Sequence, residues 1–122
     1  MAHVLSWARF YGSLLGLQDW MITIKLDSLA PGILATTYAH PGQRQAHVLL
    51  DTIGLRHEGE PQKVVLHELL HIVTGQAHTL ALQAAGSNPE SRALVGFAFE
   101  DLVQRMTGWR FWPTPPKEVR TK

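Results

Sequence analysis

Five consecutive residues combine reactive side chains with a telling spacing: His67-Glu68-Leu69-Leu70-His71. Two imidazoles four positions apart project from one side of a helix, because four residues make about one turn. Placed so, their ring nitrogens can hold one zinc ion. Glu68 sits one position round from His67, where its carboxylate reaches a metal-bound water rather than the metal. Zinc lowers the pKa of such a water to about 7, and a carboxylate beside it can take the proton and pass it to a leaving amine. The pattern is HExxH. Its setting adds weight, since Val64-Val65-Leu66 precede it and Ile72-Val73 follow. A charged triplet inside so apolar a run is costly unless a metal compensates. The bland alternative is a helix whose histidines and glutamate line a polar edge.

A catalytic zinc site needs a third protein ligand and an open position. Three residues compete for that place. His78 follows His71 by seven, but Gly75 and His78 each come one residue late for the HExxHxxGxxH pattern, and one residue turns a helix by about 100°. Glu100 lies in the next strong helical stretch. Asp101 is its neighbour, a substitute ligand or a partner that orients a ligating histidine. On a helical wheel Leu94, Val95, Ala98, Leu102 and Met106 form the expected apolar face, with Glu100 off its centre and Asp101 nearer its edge.

The elements that must position these residues read as follows. Residues 3–16 carry Val4, Trp7, Ala8, Tyr11, Leu14 and Leu15 at helical spacing, with Gly16 as the stop. Residues 20–27 alternate, placing Trp20, Ile22, Ile24 and Leu26 on one side of a half-buried strand. Residues 33–39 and 44–51 read as a hairpin about His40-Pro41-Gly42-Gln43, where Pro then Gly suits a type II turn. Residues 54–60 read as a loop. Pro61 suits a first helical position, and Gly75 is the expected end of the helix bearing the motif. Thr79 to Ala85 allows a short further helix. Ser87-Asn88-Pro89-Glu90 starts the last helix, which runs to about Thr107, with Gly108 as its stop. The order predicts an α+β domain, residues 1–108, with a small, mainly antiparallel three-stranded sheet covered by helices on one face. Residues 109–122 read as a Pro-rich basic tail.

The chain resembles the small gluzincin-type metallopeptidases of phages and other prokaryotic elements, including the minigluzincins. The resemblance spans roughly residues 5–107. It is carried by Leu15-Gly16-Leu17 with Asp19-Trp20 before an alternating strand, by the Ala46 to Leu50 strand, by VVLHELLHIV and by FEDLV. Only HELLH is specific among these. The resemblance implies a minimal zincin core of N-terminal helix, three strands, active-site helix and glutamate helix. It implies zinc on His67, His71 and Glu100, and Glu68 as general base. It also implies that an edge strand, here residues 45–51, pairs with an extended peptide substrate. Tyr38 and His47 are open to the role of transition-state stabiliser, although each is more simply structural. The departures are the basic tail and the TGQAHTLALQAAG segment between the two helices.

The composition narrows the remaining choices. The 122 residues suit one domain, and the absence of cysteine excludes thiolate ligands, disulfides and a cysteine nucleophile. A net charge of +1 does not suggest a nucleic-acid coat. Residues 1–104 carry six basic and nine acidic side chains, residues 105–122 five basic and one acidic. A basic tail can touch nucleic acid or an acidic partner, but its simpler role is solvation. Trp109 and Trp112 about Arg110 can stack on bases, or pack the tail back on the domain. His3, His40, His47 and His57 read as solvated or locally bonded, and Phe97, Phe99 and Val103 as core or an oligomer contact. No apolar run reaches the ~20 residues of a membrane span, and no secretory leader is recognisable, so the expected place is the cytoplasm, or the host cytoplasm for a phage protein. The expected function is a zinc metalloendopeptidase acting on a specific protein or peptide. The alternative is a zincin-fold binding module, without catalysis, for a host protein or nucleic acid. The sequence pattern specifies no oligomeric state.

Overall fold

The computed structural model describes residues 2–110 and 112–115. In chain order its elements are α1 (Ala2–Leu14), β1 (Met21–Asp27), β2 (Ala35–His40), a 3-10 turn (Pro41–Gln43), β3 (Gln45–Asp51), α2 (Thr52–Arg56), α3 (Pro61–Ala85) and α4 (Pro89–Thr107). The fold is α+β, with a three-stranded sheet in the order β1-β3-β2.

The sheet is mixed: β2 pairs antiparallel with β3, while β1 pairs parallel with it, Met21 opposite Gln45 through Asp27 opposite Asp51. The strand expected at the edge, residues 45–51, is therefore the centre. Its inward residues explain this. Ala46, Val48 and Leu50 are all fully buried, and a strand so apolar on one face gains most from neighbours on both sides. β2, with Thr36, Thr37 and two alanines, takes an edge. The opposite sheet face carries exposed Thr23, Lys25, Tyr38, His40 and His47. Among the described residues helices thus cover one face only, and the core unites Ile24 of β1 and the inner β3 residues with Val4 and Tyr11 of α1 and Val65, Leu66, Leu69, Leu70 and Ile72 of α3.

The β2–β3 connection is wider than a type II turn. Pro41 opens the 3-10 turn, and the left-handed residue is Arg44, at φ 51°, not Gly42. Asp51 ties the other end of β3 to its surroundings: its carboxylate accepts from the Leu29 and Gly54 amides at 2.9 and 2.8 Å. Those two bonds hold its pKa below the ordinary value, and the one from Gly54 caps α2, which occupies part of the expected 54–60 loop.

The largest departure concerns α3, which does not stop at Gly75 but runs 25 residues, about 37 Å. A glycine inside a helix costs about 1 kcal/mol relative to alanine. The residues after it (Gln76, Ala77, Leu80 to Ala85) are good helix formers and outweigh that cost. The chain then turns at Gly86, and α4 starts at the Asn88 cap, whose side chain accepts from the Ser91 amide. Lys63 near the start of α3 donates to the Thr107 carbonyl at the end of α4, and Arg92 donates to the Leu82 carbonyl. The two helices therefore form an antiparallel hairpin.

The face of α4 turned inward is not the one the wheel suggested. Val103 is buried and Val95, Phe99 and Met106 are half-buried, whereas Leu94, Ala98 and Leu102 are exposed, as is Phe97. The helix is rotated so that Glu100 borders its packed face. Beyond α4, the Trp112 indole donates to the Met106 carbonyl, the Tyr11 hydroxyl donates to the Pro113 carbonyl, and the Trp109 and Trp112 rings stack. This part of the tail packs back on the domain; residues 116–122 lie outside the described set. No helix among the described residues is long and apolar enough to cross a membrane.

An alanine at position 75 tests the continuity of α3. A Cβ there meets nothing within 4 Å, so Gly75→Ala should stabilise the protein by about 1 kcal/mol, read as a rise of a few degrees in thermal midpoint. A loss of stability would show that the helix breaks at this residue.

Candidate metal centre

Helix α3 serves two faces. Val65, Leu66, Leu69, Leu70 and Ile72 enter the core. His67, His71 and His78, at intervals of four and seven, share another side, which faces α4 and the inner edge of β2. Glu68 lies between the two faces, and this explains how a carboxylate only 6% exposed still borders an open cleft.

Among the described residues, His67, Glu68 and His71 form a group that could hold a metal ion, with one ligand atom of each within 4.8 Å of the others. The acids of the site do not stand equally within reach. Glu68 accepts a 2.6 Å bond from the Thr37 hydroxyl through Oε1. Glu100 instead brings Oε1 to 3.0 Å from His67 Nε2 and Oε2 to 3.1 Å from His71 Nε2. The two Nε2 atoms are 3.2 Å apart. Although Glu68 falls within the wider span, the tightest triad is thus His67, His71 and Glu100. Ligand atoms bound tetrahedrally at the usual Zn–N and Zn–O lengths lie ~3.3 Å from one another, so these three fit a single small cation.

Proton placement supports the same fit. The Thr107 hydroxyl donates to the Val103 carbonyl at 2.7 Å, and its oxygen lies 3.3 Å from His67 Nδ1. With its hydrogen committed, Thr107 can only accept there, so Nδ1 of His67 carries a proton. In the neutral ring this leaves the Nε2 lone pair facing Glu100 Oε1. Two acceptors at such a distance repel unless a proton or a metal cation lies between them, so the arrangement is compatible with a bound ion.

Electrostatics divide the roles further. Burial pushes the Glu68 carboxyl above its ordinary pKa and the nearby Glu100 adds to this, while the Thr37 bond and the charge of His71 oppose it. Burial lowers the pKa of His71, opposed by Glu68 and Glu100 and assisted by the other histidines. Clefts of about 410 and 750 Å³ open on either side, sharing Ala35, His67, Glu68 and Glu100.

The other expected residues fall elsewhere. His78 lines the smaller cleft but stacks on Phe99, with ring centroids 4.7 Å apart and planes 10° from parallel. Asp101 points to solvent and pairs with Arg105 at 2.8 Å. Tyr38 and His47 lie on the exposed sheet face, away from α3, so neither can stabilise chemistry at the site. Two contributors escaped the reading of the sequence. Thr37 could have been found from strand alternation, which puts it on the inward side with Ala35 and Ala39. Thr107 follows Glu100 by seven, the spacing that returns a residue to the same helical face. No protein-family model, curated protein or solved structure matches this chain.

Two outcomes follow from this geometry. Removing the hydroxyl in Thr107→Val should weaken metal binding about 10- to 100-fold, measured by competition with a chelating dye, with little change in fold; unaltered affinity would remove Thr107 from the site. The second concerns metal-free protein. Because the folded pKa of Glu68 lies above the unfolded one, the folded state keeps its proton longer, and stability falls as pH rises from the ordinary carboxylate range through the raised value. Glu68→Gln should therefore be more stable than the native chain near pH 7, with the gap closing below about pH 4. His71 acts in the opposite sense, costing stability as pH falls from about 6.5 through its lowered pKa. Urea titrations of both proteins across pH check the signs.

Proposed function

We propose that this chain is a zinc-dependent peptidase of the gluzincin type, with His67, His71 and Glu100 as metal ligands and Glu68 as general base. The observation that carries the proposal is the close triad of two imidazole nitrogens and a carboxylate, with a second, buried carboxylate beside it and outside the triad. Two histidines and one carboxylate form a donor set that suits zinc and leaves a fourth position free. When bound, zinc polarises a peptide carbonyl and makes a water acidic enough to attack it.

The chain's own residues supply the rest. Thr37 occupies Oε1 of Glu68 and so orients the carboxylate. The raised pKa makes Glu68 a better proton acceptor than a solvated carboxylate, suited to take a proton from attacking water and return it to the departing nitrogen. His67 is held in its ligating tautomer through Thr107. Edge strand β2 borders the smaller cleft through Ala35, Thr36, Thr37 and Ala39. Its outer main chain offers pairing groups to an extended peptide, which replaces β3 in the role first expected for it. So small a domain favours selectivity for one protein partner over general digestion. We also propose a cytoplasmic setting, in keeping with a chain that has no cysteine and needs no oxidising compartment.

Elemental analysis of the native protein should find one zinc per chain, lost in His71→Ala and in Glu100→Ala. Glu68→Gln should keep the zinc yet slow cleavage of a mixed peptide library by about 10²- to 10⁴-fold. Zinc retained in Glu100→Ala would overturn the ligand set. A native protein that binds no metal when zinc is supplied would overturn the enzyme and leave a binding module.

A further inference from the structure

The distal half of α3 carries a feature that peptide hydrolysis does not use. Val73, Ala77, Leu80 and Ala84 succeed one another at intervals of four, three and four, the spacing of a coiled-coil seam. They continue the helical face that nearer the start of α3 is buried in the core. Here the face runs past the body of the domain: Val73 is 43% and Leu80 59% exposed, and Ala77 and Ala84 are also exposed. An uncovered stripe of this kind normally marks a contact surface.

Charge narrows what can cover it. Residues 69–89 contain no Asp, Glu, Lys or Arg. An acidic or basic partner would find no opposite charge on this stretch, whereas an equally uncharged helix is desolvated against it at little cost. Shape narrows it further. The stripe alternates large and small residues, so an antiparallel copy of itself sets Val73 opposite Ala84 and Ala77 opposite Leu80, each large side chain meeting a small one. This is also the pairing that an antiparallel seam requires and that a two-fold axis generates. Space exists at the end of the stripe as well. A cleft of about 370 Å³ beside Val73 has Leu17, Trp20, Ile72 and Gln76 in its wall, and the only charges there, Asp19 and Arg44, neutralise each other as a 3.3 Å ion pair.

We propose that the distal half of α3 is a self-association surface, on which a second copy of this chain docks antiparallel through Val73, Ala77, Leu80 and Ala84. The contact is a single helix face, and the dimer expected of it is a weak one, in the micromolar range or above. The surface lies apart from the metal ligands, and the proposal stands independently of the activity.

Sedimentation equilibrium at up to about 0.5 mM protein, far above the micromolar range, should show mass rising from 13.6 kDa toward twice that value. Leu80→Glu should hold the protein at the monomer mass at every concentration, with an unchanged far-UV circular dichroism spectrum. Because the chain has no cysteine, an Ala77→Cys/Leu80→Cys variant reports the register: oxidation should give a covalent dimer. Neither single variant should do so, because its thiols are offset along the axis beyond disulfide reach. A native monomer at the highest concentration, a dimer that survives Leu80→Glu, or a double variant that fails to cross-link would each overturn the proposal.

Discussion

A carboxylate buried inside an apolar helix is the constraint around which this structure is arranged. Glu68 follows Val65 and Leu66 and precedes Leu69 and Leu70, all withdrawn from water. Moving an ionised carboxyl into such surroundings costs several kcal/mol unless it is bonded or neutralised. The fold supplies one direct bond, from Thr37, and that bond requires β2 to lie against α3 with its even-spaced residues Ala35, Thr37 and Ala39 turned inward. β2 can lie there only as an edge strand, because β3 fills the centre with Ala46, Val48 and Leu50. The mixed sheet, the wide β2–β3 connection and the placement of the site at the sheet edge all accompany one hydrogen bond to one buried acid.

The parts of this arrangement that were legible in the sequence are those set by local pattern. Alternation placed β1, the Asn88-Pro89 cap placed the start of α4, and HExxH placed two imidazoles on one face of α3. Glu100 is a ligand candidate from the sequence although the wheel turns it off the centre of the apolar face. That wheel failed for a physical reason: it assumed that the most apolar stripe of α4 faces inward. The observed face is chosen instead by what α3 offers, a row of imidazoles and small residues that packs Val95, Phe99 and Val103 and admits the Glu100 carboxylate. Apolar residues left outside, such as Leu94 and Phe97, are the consequence.

Gly75 misled for a related reason. Glycine marks a helix end when the following residues cannot continue the helix, and propensity is a sum over a segment rather than a property of one residue. The parallel pairing of β1 with β3 was beyond any local signal, since it depends on which strand is buried on the inner face most completely. Thr107 belongs to the same class. Its value lies in a hydroxyl already committed to Val103, which decides the proton on His67 forty residues away.

The extended α3 joins these two kinds of information. Its proximal half is amphipathic in a divided sense, one face core and one face site, so every residue there answers to a neighbour already within the domain. Past Ile72 the body ends, but the helix does not, and the same two faces continue without the elements that cover them nearer the start. The site face finds α4, where His78 lines the smaller cleft and stacks on Phe99. The core face is left largely uncovered among the described residues beyond Val73, and it keeps its apolar character while shedding all charge. A helix that merely overran its domain would be free to carry lysine and glutamate there at no cost to stability. An uncharged face with large and small residues in alternation is instead the kind of surface that a protein partner covers.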